Sequence, residues 1–200
     1  MDCLDYKPCL LAGFSFCLKF TEHKPYHFVF YLHNPFKTII LFMALQIGDI
    51  APEFTLYNSD KNKVNLSDYA GTKNVLLLFF PVAFTGVCTK ELCSVRDGIN
   101  RYNNENSEVL GISVDSVYTL KKYKEEQSFN FSLLSDFNKV VSNGYQSIYE
   151  TFSNMGMLGV SKRSAFIIDK SGIIQYVEVL ENPEAMPDFV AIDRKMEQLA

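Results

Sequence analysis

The sequence predicts an α/β domain with a mixed central β-sheet and helices on both faces, and three observations carry the prediction. A continuous apolar run, Val75-Leu76-Leu77-Leu78-Phe79-Phe80, is stopped by Pro81 and has the character of a central strand buried on both faces. Further apolar strands at 108–114 and 165–169 are separated by segments of helical periodicity. The turn Asp169-Lys170-Ser171-Gly172 joins two strands as a hairpin, which adds an antiparallel pair to a pattern of parallel crossovers.

Each element has its own signal. Residues 53–57 alternate apolar and polar, with Phe54 and Leu56 on one face, and Asn58-Ser59-Asp60-Lys61-Asn62 turns the chain into a second short strand around Val64. Ser67 is read as the cap of a helical turn ending at Gly71. After the strand at 75–80 comes a helical segment with Val87, Leu92, Val95 and Ile99 on one broad face. The strand at 108–114 ends at Asp115, and Ser116 opens a helix over 117–127 with Leu120 and Tyr123 inward. A short strand at 131–134 is followed by a helical turn at 139–143, closed by Gly144. The chain ends with strands at 165–169 and 173–180 and a helix capped by Asp188, whose stripe is Phe189, Ile192, Met196 and Leu199. The order β-β-α-β-α-β-α-β-β-α is that of an α/β sandwich of thioredoxin-like type.

Composition narrows the function classes. The chain has 200 residues, a net charge of −4 and 48% hydrophobic residues, which is ordinary globular composition. Without a Lys/Arg run, a mildly acidic chain offers nucleic acid no electrostatic footprint. Five cysteines are too few for a disulfide-stapled scaffold. The composition breaks near Met43, because residues 1–42 hold 10 of the 28 aromatic residues, all three histidines and no arginine. This extension is expected to lie outside the fold of 43–200, as sequence upstream of a true start at Met43, with a targeting or membrane-associating extension as the alternative. Asp2 and Asp5 outweigh Lys7 where a signal peptide needs positive charge, and His27, His33, Asn34, Pro35 and Lys37 break the one stretch long enough to span a membrane. Cys3, Cys9, Cys17, His23, His27 and His33 fit no usual spacing of zinc ligands. Membrane binding is not expected, and a cytoplasmic location is.

Chemistry concentrates in Pro81-Val82-Ala83-Phe84-Thr85-Gly86-Val87-Cys88-Thr89-Lys90-Glu91-Leu92-Cys93. Cys88 falls where a loop after the buried strand turns into a helix. The partial positive charge and unpaired N–H groups of a helix N-terminus favour thiolate over thiol. The competing reading is a buried, inert cysteine, yet its neighbours are loop glycine, threonine and proline rather than Leu, Ile or Val.

Pro81-x-x-x-Thr85-x-x-Cys88 resembles the active-site motif of the peroxiredoxins, P-x-x-x-T/S-x-x-C. The resemblance runs essentially from Met43 to Leu199. It includes Ile47-Gly48-Asp49-Ile50-Ala51-Pro52-Glu53-Phe54, and Ser161-Lys162-Arg163-Ser164-Ala165-Phe166-Ile167-Ile168-Asp169 resembles the family's arginine-bearing strand. It implies a thiol peroxidase acting on hydrogen peroxide and organic hydroperoxides, with no metal, haem or flavin, recycled by thioredoxin or a similar dithiol reductant. Cys88 would be the peroxidatic cysteine, passing through a sulfenic acid. Thr85 would hold the peroxide, Arg163 would supply donors to thiolate and leaving oxygen, and Pro81 would shield the thiolate. The backbone N–H groups of Val87 and Cys88 would complete the site, and Glu91 would orient Arg163. Alternatively Arg163 is a solvated strand-end charge and Glu91 an exposed helix acid.

Cys93 decides the subtype. Five residues along an intact helix put the two Cα atoms roughly 8–9 Å apart, beyond the ~7 Å limit for a disulfide. A bond between them would therefore require the first turns to unwind. The C-x4-C spacing resembles the peroxiredoxin Q (bacterioferritin comigratory protein) group, in which the second cysteine resolves the sulfenic acid. Ala83-Phe84-Thr85-Gly86-Val87 resembles instead the alkyl hydroperoxide reductase E-type group, which usually works with one cysteine and an external thiol. Cys93 is thus a resolving thiol or a buried helix residue. Phe84, Phe152, Met155, Met157 and Leu158 are read as an apolar rim for organic peroxides, or as core or dimer contacts, and 154–159 as a mobile loop suited to a lid. A homodimer fits the resemblance. The other function classes are a thioredoxin-like disulfide oxidoreductase, which would want C-x-x-C at the helix start, and a non-catalytic redox-scaffold binding protein.

Overall fold

The computed structural model describes residues 44–104 and 106–200, together with the backbone of four short strands nearer the N-terminus. The chain divides into two compact units, Met1–Ala44 and Leu45–Ala200. In the first, β1 (Pro8–Leu11), β2 (Phe14–Cys17), β3 (Phe30–Asn34) and β4 (Lys37–Leu41) pair antiparallel in the order β1-β2-β3-β4. Of the residues weighed as metal ligands there, Cys3, His23 and His27 lie outside the described residues.

In the second unit the apolar run becomes β7 (Asn74–Phe79), every residue of which is buried. Its side chains alternate: Leu76, Leu78 and Phe80 enter one core, and Val75, Leu77 and Phe79 the other. Parallel to β7 runs β8 (Ser107–Ser113), and parallel to β8 runs β9 (Ser132–Ser135). The β7-to-β8 crossover contains α1 (Gly86–Asp97) and α2 (Ile99–Asn104), and the β8-to-β9 crossover contains α3 (Val117–Gln127). Both crossovers step the same way across the sheet, so right-handed connection puts their helices on one face. Cys88, Leu92, Tyr102, Leu120 and Tyr123 share a core there with Ile192 and Met196 of α5 (Phe189–Leu199).

The other face is covered by a 3-10 turn (Leu66–Tyr69) and by α4 (Val140–Gly144), through Leu66, Val141 and Tyr145. The seven-stranded sheet has the order β13-β12-β7-β8-β9-β5-β6, closed at one edge by β5 (Thr55–Asn58) and β6 (Lys63–Asn65). At the other edge β12 (Ser164–Ile168) and β13 (Ile174–Val179) form the hairpin around Asp169, where Asp169 accepts the N–H groups of Ser171 (2.8 Å) and Ile173 (3.1 Å). The second unit is a mixed α/β domain of thioredoxin-like fold.

Three local expectations are corrected. Residues 154–159 are not one loop: β10 (Ile148–Phe152) and β11 (Met157–Ser161) form a separate antiparallel hairpin, leaving only 153–156 as its turn. The helix after Cys88 does not continue through Ile99, because Gly98 ends α1 and Ile99 starts α2. Asn65, not Ser67, caps the 3-10 turn, with its backbone N–H donating to the Asp68 carboxylate at 3.0 Å.

The fit between β8 and β9 depends on a missing side chain. A Cβ on Gly111 would come within 2.7 Å of Leu133 Cδ2, with Phe80 and Phe131 behind it. Gly111→Ala should therefore cost roughly 1–3 kcal/mol of unfolding free energy by overpacking, measured by urea titration. A variant as stable as the parent would show that Leu133 has room to move.

Candidate active site

Pro81 is buried and has no N–H to extend the ladder beyond Phe80, whose own N–H reaches the Ile112 carbonyl at 3.0 Å. The chain leaves the sheet there and turns into α1. Asp115 lies just past the end of β8, on the neighbouring parallel strand, and its Oδ2 accepts the Ala83 N–H and the Ser113 hydroxyl, each at 2.8 Å. Phe84 adopts φ +64°, a left-handed backbone that a bulky residue rarely takes. Its ring lies 4.7 Å from that of Tyr123, centroid to centroid. Thr85 returns to extended backbone as the N-cap of α1; its hydroxyl donates to the Val82 carbonyl at 2.8 Å, and its own carbonyl accepts the Thr89 N–H at 2.9 Å.

Cys88 therefore lies in the first turn of α1, among N–H groups that precede the helical ladder. It is 1% exposed, and Arg163 Nη2 donates to its Sγ at 3.3 Å. Arg163 immediately precedes β12, which runs antiparallel to β7 with Ser164 opposite Phe79. That pairing delivers the arginine to the end of β7 from which the Cys88 loop departs. Arg163 Nη1 donates to Glu91 Oε2, and the Pro183 carbonyl accepts from Nη2 (3.0 Å) and Nε (3.3 Å). Arg163 and Glu91 are 1% and 0% exposed, so neither is a solvated surface charge.

The electrostatics follow from burial. Burial works against the Arg163 charge, but Glu91 and Cys88 more than restore it and hold the guanidinium firmly protonated. Complete burial pushes the Glu91 carboxyl up to about 7, overcoming the pull of Arg163, and Glu178 adds a smaller push. Among the described residues Glu91 Oε1 has no hydrogen-bond partner, in keeping with a carboxylate poorly compensated for its lost water. A fixed guanidinium and a helix N-terminus meet at one sulfur. They also offer donors to any oxygen that becomes negative beside it.

The other singled-out residues are placed as follows. Cys93 is half-buried on the same unbroken helix, its Sγ 3.8 Å from Gln127 Oε1, and both thiols are free. Val87 is half-buried. Phe84, Met155 and Leu158 are 47%, 78% and 70% exposed and are not core residues, while Phe152 and Met157 are half-buried on the separate hairpin. A groove of about 730 Å³ opens elsewhere, lined by Phe54, Tyr57, Tyr118, Phe137 and Tyr145, and includes none of Cys88, Thr85, Arg163 or Glu91.

Sequence reasoning missed three supports. Asp115 and Ser113 brace the loop, a role signalled only by their place at the C-terminal end of the strand beside β7. Tyr149 donates to the Leu180 carbonyl at 2.9 Å, while the Leu180 N–H donates to the Arg163 carbonyl at 2.9 Å. The Pro183 carbonyl is a main-chain atom and has no sequence signal.

Comparison with known proteins gives the family. Residues 47–177 match the model of the AhpC/TSA family. Alkyl hydroperoxide reductase E of Mycobacterium tuberculosis is 40% identical over 142 residues, covering 70% of this chain and 89% of that protein. Peroxiredoxin Bcp of Escherichia coli is 38% identical over 135 residues, covering 66% and 85%. Among solved structures, peroxidoxin BcpB from Mycobacterium tuberculosis superposes with a TM-score of 0.68 at 27% identity, over 78% of this chain and 99% of that one. The reduced 2-Cys peroxiredoxin of Plasmodium vivax does so with a TM-score of 0.65 at 31% identity, over 76% and 80%.

The buried carboxyl gives a pH test. Folding raises Glu91 from 4.5 to about 7, so the folded chain holds this proton more tightly than the unfolded chain. The resulting stability is fully present below pH 4.5 and is lost as pH rises through about 7. In urea titrations, the stability of the parent minus that of Glu91→Gln should fall over that window by about 3 kcal/mol at most. A difference independent of pH would show that Glu91 folds with an ordinary carboxyl.

Proposed function

Because the chain belongs to the AhpC/TSA family and is a peroxiredoxin, a thiol peroxidase, we propose that Cys88 is its peroxidatic cysteine and that Cys93 resolves the oxidised form. The observation that carries the reading is the 3.3 Å contact of Arg163 Nη2 with Cys88 Sγ, buried at a helix N-terminus. The Cys88 thiolate attacks the terminal oxygen of a hydroperoxide; an S–O bond forms, the O–O bond breaks, and the departing alkoxide or hydroxide takes a proton to leave as alcohol or water. Cys88 is left as a sulfenic acid.

In this reading Thr85, whose hydroxyl can donate and accept, holds the peroxide. Arg163 stabilises the thiolate and the negative charge growing on the leaving oxygen. Glu91 and the Pro183 carbonyl fix the plane of the guanidinium. The Val87 and Cys88 N–H groups face the same anion, and Pro81 keeps water from it. The Cys93 thiol then attacks the sulfenic sulfur, forming the disulfide and releasing water. Exchange with a thioredoxin-like dithiol returns two electrons and two protons.

Cytoplasmic location suits that reductant, since reduced dithiols are maintained there. Among the described residues no helix is long and apolar enough to cross a membrane. The working unit of the proposal is residues 43–200, acting as a monomer or homodimer without nucleic acid.

A one-cysteine cycle is the second reading. It is favoured by the continuous helix through both thiols and by the 40% identity to alkyl hydroperoxide reductase E. Mass spectrometry after one equivalent of hydrogen peroxide separates the two. Loss of two hydrogens with Cys88 linked to Cys93 supports the first, and one oxygen retained on Cys88 supports the second. Cys88→Ser should abolish peroxide consumption, and Arg163→Gln should slow the first step about 10²- to 10³-fold. Full activity in Cys88→Ser would refute the assignment.

A further inference from the structure

Two sets of contacts tie α1 to α3 and the residues just after it, and they hold different halves of α1. Near its start, Thr89 Oγ1 and Tyr123 Oη are 2.9 Å apart, and the Phe84 ring rests against the Tyr123 ring. Near its end, Cys93 Sγ lies 3.8 Å from Gln127 Oε1, Arg96 Nη1 donates to the Gln127 carbonyl at 2.6 Å, and Asn130 Nδ2 donates to the Arg96 carbonyl at 3.2 Å. Tyr123 and Gln127 are one turn apart on α3, as Thr89 and Cys93 are on α1. The two grips therefore run in register along the contact. The second holds the segment that carries Cys93. The first holds the segment that must unwind before Cys88 can reach it.

The first grip is slight. It consists of one hydroxyl pair and the ring of Phe84, a residue already in left-handed backbone and 47% exposed. The Tyr123 ring is fixed independently of its hydroxyl, being fully buried with Phe129 at 5.0 Å and Phe80 at 6.3 Å. Removing the hydroxyl should thus leave the core packed and loosen only the start of α1.

We propose that the Tyr123 hydroxyl, through Thr89, is a latch on the first turns of α1, a positioning residue that sets how fast oxidised Cys88 swings from Arg163 to Cys93. This rests on the two-cysteine cycle proposed above. While the latch is closed, the Cys88 sulfenic acid stays in the site where a second hydroperoxide can transfer an oxygen to it, giving a sulfinic acid and releasing alcohol or water. When it opens, the Cys93 sulfur displaces water and the disulfide forms. Latch strength therefore divides the sulfenic acid between over-oxidation and resolution.

The test uses the full chain, reduced, mixed with hydrogen peroxide, quenched by thiol alkylation at successive times and read by mass spectrometry. In Tyr123→Phe, sulfenic acid should form at the parent rate, while the Cys88–Cys93 disulfide should form about fivefold faster, the factor set by one lost hydrogen bond. That factor holds whether opening limits the rate or precedes it as a fast equilibrium. At high peroxide the variant should accumulate less sulfinic acid. Thr89→Val should behave alike, and the double variant should be no faster than either single one, a non-additivity that general destabilisation would not produce. Disulfide formation in the parent with an unchanged or slower rate in Tyr123→Phe overturns the latch alone. A parent that stops at the sulfenic acid overturns the two-cysteine cycle and the latch with it, and the two failures are told apart in the parent trace.

Discussion

A full positive charge sits at 1% exposure on Arg163, and much of the site is arranged around keeping it there. Taking a guanidinium out of water costs several kcal/mol unless its donors are met. Here they are met by three groups from two distant parts of the chain: Glu91 and Cys88 from one helix, and the Pro183 carbonyl from the segment after β13. The arrangement needs β12 to run against β7, because only then does the residue before β12 arrive where β7 ends. Sheet order, helix position and local charge are one constraint seen at three scales.

Glu91 has the weaker place in this arrangement. It shares Arg163 with a proline carbonyl and a sulfur, and one of its oxygens has no partner among the described residues. A carboxyl so placed holds its proton into the neutral range. With the proton on, the carboxyl leaves the guanidinium charge to its other partners; with it off, the carboxylate and the Cys88 sulfur share one guanidinium across about one turn of helix.

Much of the architecture was legible because it rests on periodicity. The six-residue apolar run, the bounds of α3 and the Asp188 cap, whose side chain accepts the Ala191 N–H, all have local signals. The β10–β11 hairpin had none: it stands outside the main sheet, and its Met and Gly residues read as loop. Gly98 was passed over because the apolar spacing continues through Ile99 although the helix does not. At the site, Cys88, Thr85 and Pro81 could be read from one short stretch. Arg163 is 75 residues from Cys88 and was tied to it only through family resemblance. Asp115 depends on which strand neighbours β7, and Pro183 acts through a main-chain atom, so neither carries a signal in its own side chain.

The order of the strands along the chain also fixes when this site can exist. During synthesis Cys88 leaves the ribosome 75 residues ahead of the arginine that contacts it, and Pro183 follows 20 residues after that. Until β12 inserts beside β7, the sulfur has no guanidinium near it, and the carboxyl of Glu91 has no buried charge to answer. The Cys88 sulfur acquires these partners only as the last strands close the sheet, so completion of the fold and assembly of the site are the same event.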